Sequence, residues 1–295
     1  MRVGVTVPIS ASDGPGRVPT WPEMLRFASH AEAGGLDSVW VCDHFFSDDP
    51  DRPDDPPEGI HEAWTVLTAL AATTEEVELG QLVMCASFRN PGLLAKMAAT
   101  ADMVSGGRLI LGVGAGWYDP EYEAFGYPAD HKVSRFDEAL QILAPLLRGQ
   151  RVTFEGEYHR AREATLLPPP DRRIPLLIAA ERPRMLGLTA RHADAWCTAW
   201  YGGPDDRVRR RLAEMSKALE VEARDPATLR RAVGVEVGKV DGADGVGILD
   251  GSVGELTRAF DGYAELGFND VIVGLRPSTP QMLDRLSEAK RLHGR

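Results

Sequence analysis

Excess positive charge is missing from this chain of 295 residues: 33 Lys plus Arg stand against 44 Asp plus Glu, a net charge of −11. That balance argues against nucleic acid or anionic membrane as a partner. No apolar run approaches the length needed to span a bilayer. Strand-like sequence from Arg2-Val3-Gly4-Val5 leaves no room for a signal peptide, so a cytoplasmic protein is expected. Cysteine is scarce. Cys42, Cys85 and Cys197 form no CxxC pair, their odd count argues against a disulfide framework, and they read as buried thiols in a reducing compartment. His44, His61, Glu62, His131 and His192 compose no HxH or HExxH pattern, so no metal is expected. Neither a GxSxG elbow nor a glycine-flanked cysteine supports nucleophilic hydrolysis.

Short branched apolar segments alternate with helical patterns along the whole length. Candidate strands are Val3–Val7, Ser38–Cys42, Val77–Met84, Leu109–Val113, Leu176–Ala179, Ala195–Thr198, Ala232–Val237 and Asp270–Gly274, each apolar enough to be buried on both faces. Leu94, Met97, Ala98 and Ala101, and Phe136, Leu140, Leu143 and Leu147, repeat at helical spacing. Thr20–Glu23, Ser252–Glu255 and Ser278–Gln281 have capping-box spacing. Eight such units without a break in composition predict one (β/α)8 barrel domain over 1–295, with a doubly wound sheet as the competing architecture. Two segments exceed ordinary loop lengths. Phe46 to Ile60 follows the second strand and reads as a lid or as a disordered acidic loop; Arg148 to Arg173 carries a hairpin signal at Val152–Tyr158.

The second candidate strand ends in Asp43-His44. Two adjacent titratable groups at a strand end are how a barrel presents an acid and a base at its C-terminal mouth, although a turn cap and a surface histidine would read the same way. The fourth strand runs into Gly112-Val113-Gly114-Ala115-Gly116-Trp117, where the backbone can approach a ligand and offer amides to phosphate. Trp117 stands where a dinucleotide fingerprint needs glycine, and a tight turn explains the glycines as well. After the fifth strand, Ala179-Ala180-Glu181-Arg182-Pro183 opens a helix whose N-terminus favours an anion; packing alone accounts for the small residues equally. Arg207-Val208-Arg209-Arg210-Arg211 reads as a solvated helix face, with contact to an anionic cofactor tail as the other reading.

With these segments in place the chain resembles the bacterial luciferase-like monooxygenase superfamily, and within it the branch of oxidoreductases that use the deazaflavin coenzyme F-420. The resemblance runs from the first strand to the last helix and rests on Asp37–His44, Arg89–Lys96, Ser105–Leu109 with Gly112–Trp117, and Arg191–Trp196. It implies a (β/α)8 TIM barrel of the luciferase-like type, with insertions at the catalytic face where the ring system stands. By that resemblance Asp43 contacts the ring region and His44 sits beside the reacting centre, where an imidazole can give and take a proton near neutrality. Leu82–Val83 corresponds to the non-proline cis peptide that backs the ring, and phosphate meets backbone amides near Gly114, Ala115 and Gly116 and near Ala180, Glu181 and Arg182.

Departures from the family pattern narrow the implied activity. Sugar-phosphate dehydrogenases of this group carry a Glu directly after the glycine loop where this chain has Trp117, which disfavours glucose-6-phosphate. Many relatives have a Gly-Gly-x-Gly run where Ala179–Arg182 stands. Luciferase has an arginine for the flavin phosphate at the position of Ala115, and its absence tilts the reading toward the deazaflavin. The resemblance thus implies hydride transfer between coenzyme F-420 and a small organic substrate. An FMN-dependent monooxygenase supplied by a partner reductase is the alternative, and a non-catalytic cofactor-binding relative is a third reading. Trp117, Tyr118, Trp64 and Trp200 are candidates for an aromatic substrate pocket, Trp40 for a buried strand position. The family also implies a homodimer.

Overall fold

The eight apolar segments become eight parallel strands that close on themselves. The computed structural model describes residues 1–13, 16–47, 57–238 and 248–294. The strands are β1 (Arg2–Thr6), β2 (Ser38–Val41), β3 (Glu78–Gln81), β4 (Leu109–Gly114), β5 (Leu176–Ala179), β6 (Ala195–Tyr201), β7 (Arg230–Gly238) and β8 (Asp270–Arg276). Each pairs with its sequence neighbour, and β8 pairs with β1 in the same parallel sense, so no edge remains. Around them lie α1 (Trp21–Ala33), α2 (Ala63–Ala71), α3 (Pro91–Val104), α4 (Asp119–Phe125), α5 (Lys132–Leu147), α6 (Pro183–His192), α7 (Asp206–Val221), α8 (Val253–Glu265) and α9 (Pro280–Leu292). This is the (β/α)8 barrel expected from the alternation, and the doubly wound sheet is excluded.

Inside the barrel, side chains are stacked in layers. At the N-terminal end the Arg2 guanidinium lies 2.6 Å from Glu78, and Arg230 pairs with both Asp270 and Glu78. Above this charged plug sit Trp40, Ile110, Leu177, Cys197, Ala232 and Ile272. Trp40 is as buried as its strand position suggests, with its indole N–H donating to Ser38 Oγ at 2.8 Å. The indole fits only because Gly80 faces it: a Cβ there would come within 2.2 Å of the ring.

Two expected segments differ in extent. The third strand, anticipated over Val77–Met84, is regular only to Gln81; Leu82–Val83 is a cis peptide, and pairing with β4 resumes at Met84 and Cys85. Gly112 faces this break, where a Cβ would lie 1.9 Å from the Gln81 carbonyl oxygen. The hairpin read at Val152–Tyr158 extends further, pairing Val152–Glu155 with Arg160–Ala164. Of the expected caps, the Thr20 amide donates to Glu23 at 2.8 Å and Ser252 Oγ accepts from the Glu255 amide. The third cap is Thr279, one residue beyond Ser278, because its hydroxyl is the one that accepts from Met282 N–H. Most of the candidate lid lies outside the described residues; its two ends pair, Phe46 opposite Gly59 and Ser47 opposite Glu58.

Two motifs of the sequence serve the frame. Arg108 donates to the carbonyls of Ala71, Thr74, Val77 and Ser105, collecting unpaired acceptors at the end of α2 and of α3. Asp194 accepts from the Leu176 amide at 3.0 Å, and the neighbouring Trp196 indole donates to the Ala180 carbonyl at 2.9 Å. The turn after β5 is thereby tied to β6.

Candidate active site

At the C-terminal mouth of the barrel the ends of β2, β4, β5 and β6 surround a cavity of about 640 Å³. A volume of this size suits a cofactor ring together with a small second molecule. Every residue singled out for catalysis or cofactor binding lines it: Asp43, His44, Leu82, Val83, Gly114, Ala115, Gly116, Ala180, Glu181 and Arg182. The small side chains at 114–116 and 179–180 keep one wall close to the backbone. Gly114 also makes room for the Leu82–Val83 segment, since a Cβ there would approach Val83 to 2.8 Å. The glycines of this loop therefore fit the neighbouring strand as well as any ligand.

Asp43 and His44 diverge sharply in environment. The Asp43 carboxylate is buried and accepts from Arg89 at 2.7 and 3.1 Å and from the Cys85 amide at 2.8 Å. Burial pushes its pKa up, opposed by the Arg89 charge and the Cys85 amide. Arg89 continues to Glu62 at 2.7 Å, so Asp43 is the buried end of a network that reaches the surface at Glu62. It is an anchor for the end of β2. His44 remains about a quarter exposed, and its Nδ1 lies 3.0 Å from Glu121 Oε2.

Glu121 is the functional residue the sequence reading missed. It lies in α4, a helix of 7 residues that the periodicity did not reveal. Its side chain is almost fully buried, and its other oxygen accepts from the Phe45 amide at 2.5 Å. With Nδ1–H donating to the carboxylate, Nε2 is left as the acceptor nitrogen of the His44 ring. Arg89 was visible within the Arg89–Lys96 segment, but no signal in it pointed to Asp43.

The remaining wall is aromatic. Trp117 and Tyr118 pack edge-on to His44 at 5.7 and 6.3 Å between ring centroids. Trp200 also lines the cavity. Trp64 does not join them, contrary to the sequence reading: it is a buried residue of the outer core, because its position in the first turn of α2 points it between helix and barrel. Tyr122 closes the floor, its hydroxyl 3.1 Å from both Cys85 Sγ and the Ala115 carbonyl. Desolvation pushes the Cys85 thiol up to about 11. Cys42, expected to be buried, is only partly covered and lines the cavity; desolvation with the nearby Asp13 carboxylate pushes its thiol up to about 12. Among the described residues no group of three or more His, Cys, Asp or Glu is placed to hold a metal ion.

A parallel eight-stranded barrel with a cavity at its C-terminal mouth defines the class: a (β/α)8 protein whose cavity lies where enzymes of this fold place their active sites. The luciferase-like monooxygenase profile matches residues 1–238, and the chain belongs to that family. It is similar to the F420-dependent glucose-6-phosphate dehydrogenase of Amycolatopsis mediterranei, at 32% identity over 212 residues, 69% of this chain and 62% of the relative. The match thus spans less than two thirds of that relative's length. Among solved structures, an F420-dependent secondary alcohol dehydrogenase in complex with an F420-acetone adduct superposes with a TM-score of 0.79 at 20% identity, covering 98% of this chain and 97% of the other. EDTA monooxygenase from Chelativorans sp. BNC1 gives 0.80 at 14% identity over 100% and 94% of the two chains. These two likenesses establish the fold.

Proposed function

We infer that the protein is an oxidoreductase that uses coenzyme F-420 to move a hydride to or from a small organic substrate. The observation that carries this reading is the His44–Glu121 pair at the edge of an otherwise largely apolar cavity, facing the small-residue wall at Gly114–Gly116. The names of the relatives at about 30% identity support the cofactor. So does the fit of the residues: Leu82 and Val83 present an apolar surface for one ring face, and the backbone at 114–116 and 181–182 lies at the adjacent wall for phosphate, the Ala180 amide being already held by the Cys197 carbonyl at 3.1 Å.

When bound, the deazaflavin supplies a carbon centre that carries hydride. The chain supplies orientation, exclusion of water and proton management. Glu121 holds the His44 ring through Nδ1, so that Nε2 accepts the proton of a substrate hydroxyl during oxidation or returns it to a carbonyl during reduction. The carboxylate stabilises the imidazolium formed in the first direction. Trp117, Tyr118 and Trp200 form an apolar, aromatic wall, which favours a substrate with an apolar body over a sugar phosphate.

The test is binding of purified protein to coenzyme F-420 and to FMN, compared by fluorescence quenching, followed by hydride exchange. Tight binding of the deazaflavin is expected, and His44→Ala should lower turnover about 100-fold or more with little change in cofactor Kd. Preference for FMN would overturn the reading in favour of a monooxygenase with a reductase partner; unchanged turnover in the His44 variant would remove the assigned role.

A further inference from the structure

A second cavity of about 330 Å³ opens beside the first, between the end of β6 and the first turns of α7. Glu181, Ala199 and Trp200 line both cavities, so a flexible chain leaving the main cavity over Glu181 passes directly into the second. Its charged lining is Arg207, Arg210 and Arg211 against Glu181 and Glu214, a local positive excess in a chain whose net charge is −11.

The three guanidinium groups differ in what they already hold. Arg211 is engaged by the Glu181 carbonyl at 3.1 Å and by Glu214 at 2.7 Å. Arg207 donates to Asp205 at 2.7 Å and lies 5.5 Å above the Tyr201 ring. The Arg210 guanidinium makes no hydrogen bond or ion pair among the described residues, and the same holds for the guanidinium of Arg182 on the main cavity. An arginine in a concave site with its whole donor fork unused is a receptor for a carboxylate. Two of them flank the shared wall.

We propose that the second cavity holds the oligoglutamate tail of coenzyme F-420, with Arg210 as the principal carboxylate contact, an assignment that rests on the reading of the main cavity given above. FMN ends in a single phosphate and has no chain to enter this space. A tail of successive carboxylates matches a groove whose unpaired positive group lies beyond the ring and phosphate region.

The experiment is titration of the full chain with coenzyme F-420 and with the deazaflavin riboside that lacks phosphate and tail, at low and high salt. Arg210→Glu should weaken coenzyme F-420 about tenfold at low salt, less at high salt, while affinity for the riboside changes less than about twofold. Arg209→Glu makes the same charge change on the same helix at a residue as exposed as Arg210 but outside the cavity lining, and should leave both affinities within about twofold. Equal losses in the two variants, or equal losses for the two ligands in Arg210→Glu, would overturn the second-cavity assignment alone. A wild-type chain that binds neither ligand would overturn the reading of the main cavity and this proposal with it.

Discussion

At Glu121 one carboxylate oxygen faces His44 Nδ1 and the other accepts the Phe45 amide, so a single side chain orients both the imidazole and the backbone that carries it. Glu121→Gln keeps the size but loses the charge that favours Nδ1–H. It is expected to lower turnover about 10- to 100-fold with cofactor Kd within about twofold, read from steady-state rates beside a binding titration. Gly80 shows the opposite kind of constraint, imposed by volume. A Cβ there meets the Trp40 ring at 2.2 Å, and Gly80→Ala should lower stability by about 1–3 kcal/mol, measured by urea unfolding. Thiol chemistry gives a third check. With the Cys42 thiol pushed up to about 12 and that of Cys85 to about 11, alkylation by iodoacetamide near neutral pH should be slow in the folded protein and fast in denaturant.

Between elements, the loops are held by carboxylates that collect backbone amides. Glu32 of α1 accepts from the amides of Glu75, Glu76 and Val77 at 2.9, 2.7 and 3.1 Å, fixing the approach to β3. Burial would raise its pKa, but the three amides prevail and hold the carboxyl below its ordinary value. A depressed folded pKa gives stability that is present above the unfolded value and is lost as pH falls through the folded one. Acid should therefore destabilise the wild type in this range more than Glu32→Gln, which itself costs about 1 kcal/mol at neutral pH; urea midpoints at several pH values decide it. Similarly, α4 exists as a short helix between β4 and α5, and without it Glu121 would not reach the end of β2.

On the scale of the whole molecule, the barrel is closed at its N-terminal end by Arg2, Glu78, Arg230 and Asp270, which come from β1, β3, β7 and β8. Arg230→Met would leave Asp270 and Glu78 with Arg2 as their one remaining counter-charge among the described residues. A loss of about 1–2 kcal/mol is expected from urea unfolding, since Arg230 is partly exposed and Arg2 continues to pair with Glu78 and Asp270. The mouth is asymmetric: one wall is small and backbone-rich, the other aromatic, and the arginine-lined cavity leads away past β6. Under the proposed function, that arrangement would order the site from ring to substrate to tail.

How far the sequence reaches is clear from these same residues. Periodicity and branched apolar runs determine all eight strands and their order, because a strand buried on both faces cannot be written with any other composition. Asp43 and His44 are legible at the end of β2 because a strand end is a local feature, and family motifs bring the loops at 114–116 and 180–182 with them. Trp64 was misplaced because an aromatic in a helix's first turn looks the same whether it faces a pocket or a core. Glu121 and Arg89 escaped notice for the complementary reason: what they do depends on partners 77 and 46 residues away. Composition and spacing determined the eight strand–helix units and the position of the histidine; closure of β8 on β1 decided the barrel over a doubly wound sheet. Only tertiary structure decided that Asp43 is anchored by Arg89 while His44 is oriented by Glu121, because barrel closure is what brings loops from separate βα units within hydrogen-bonding distance.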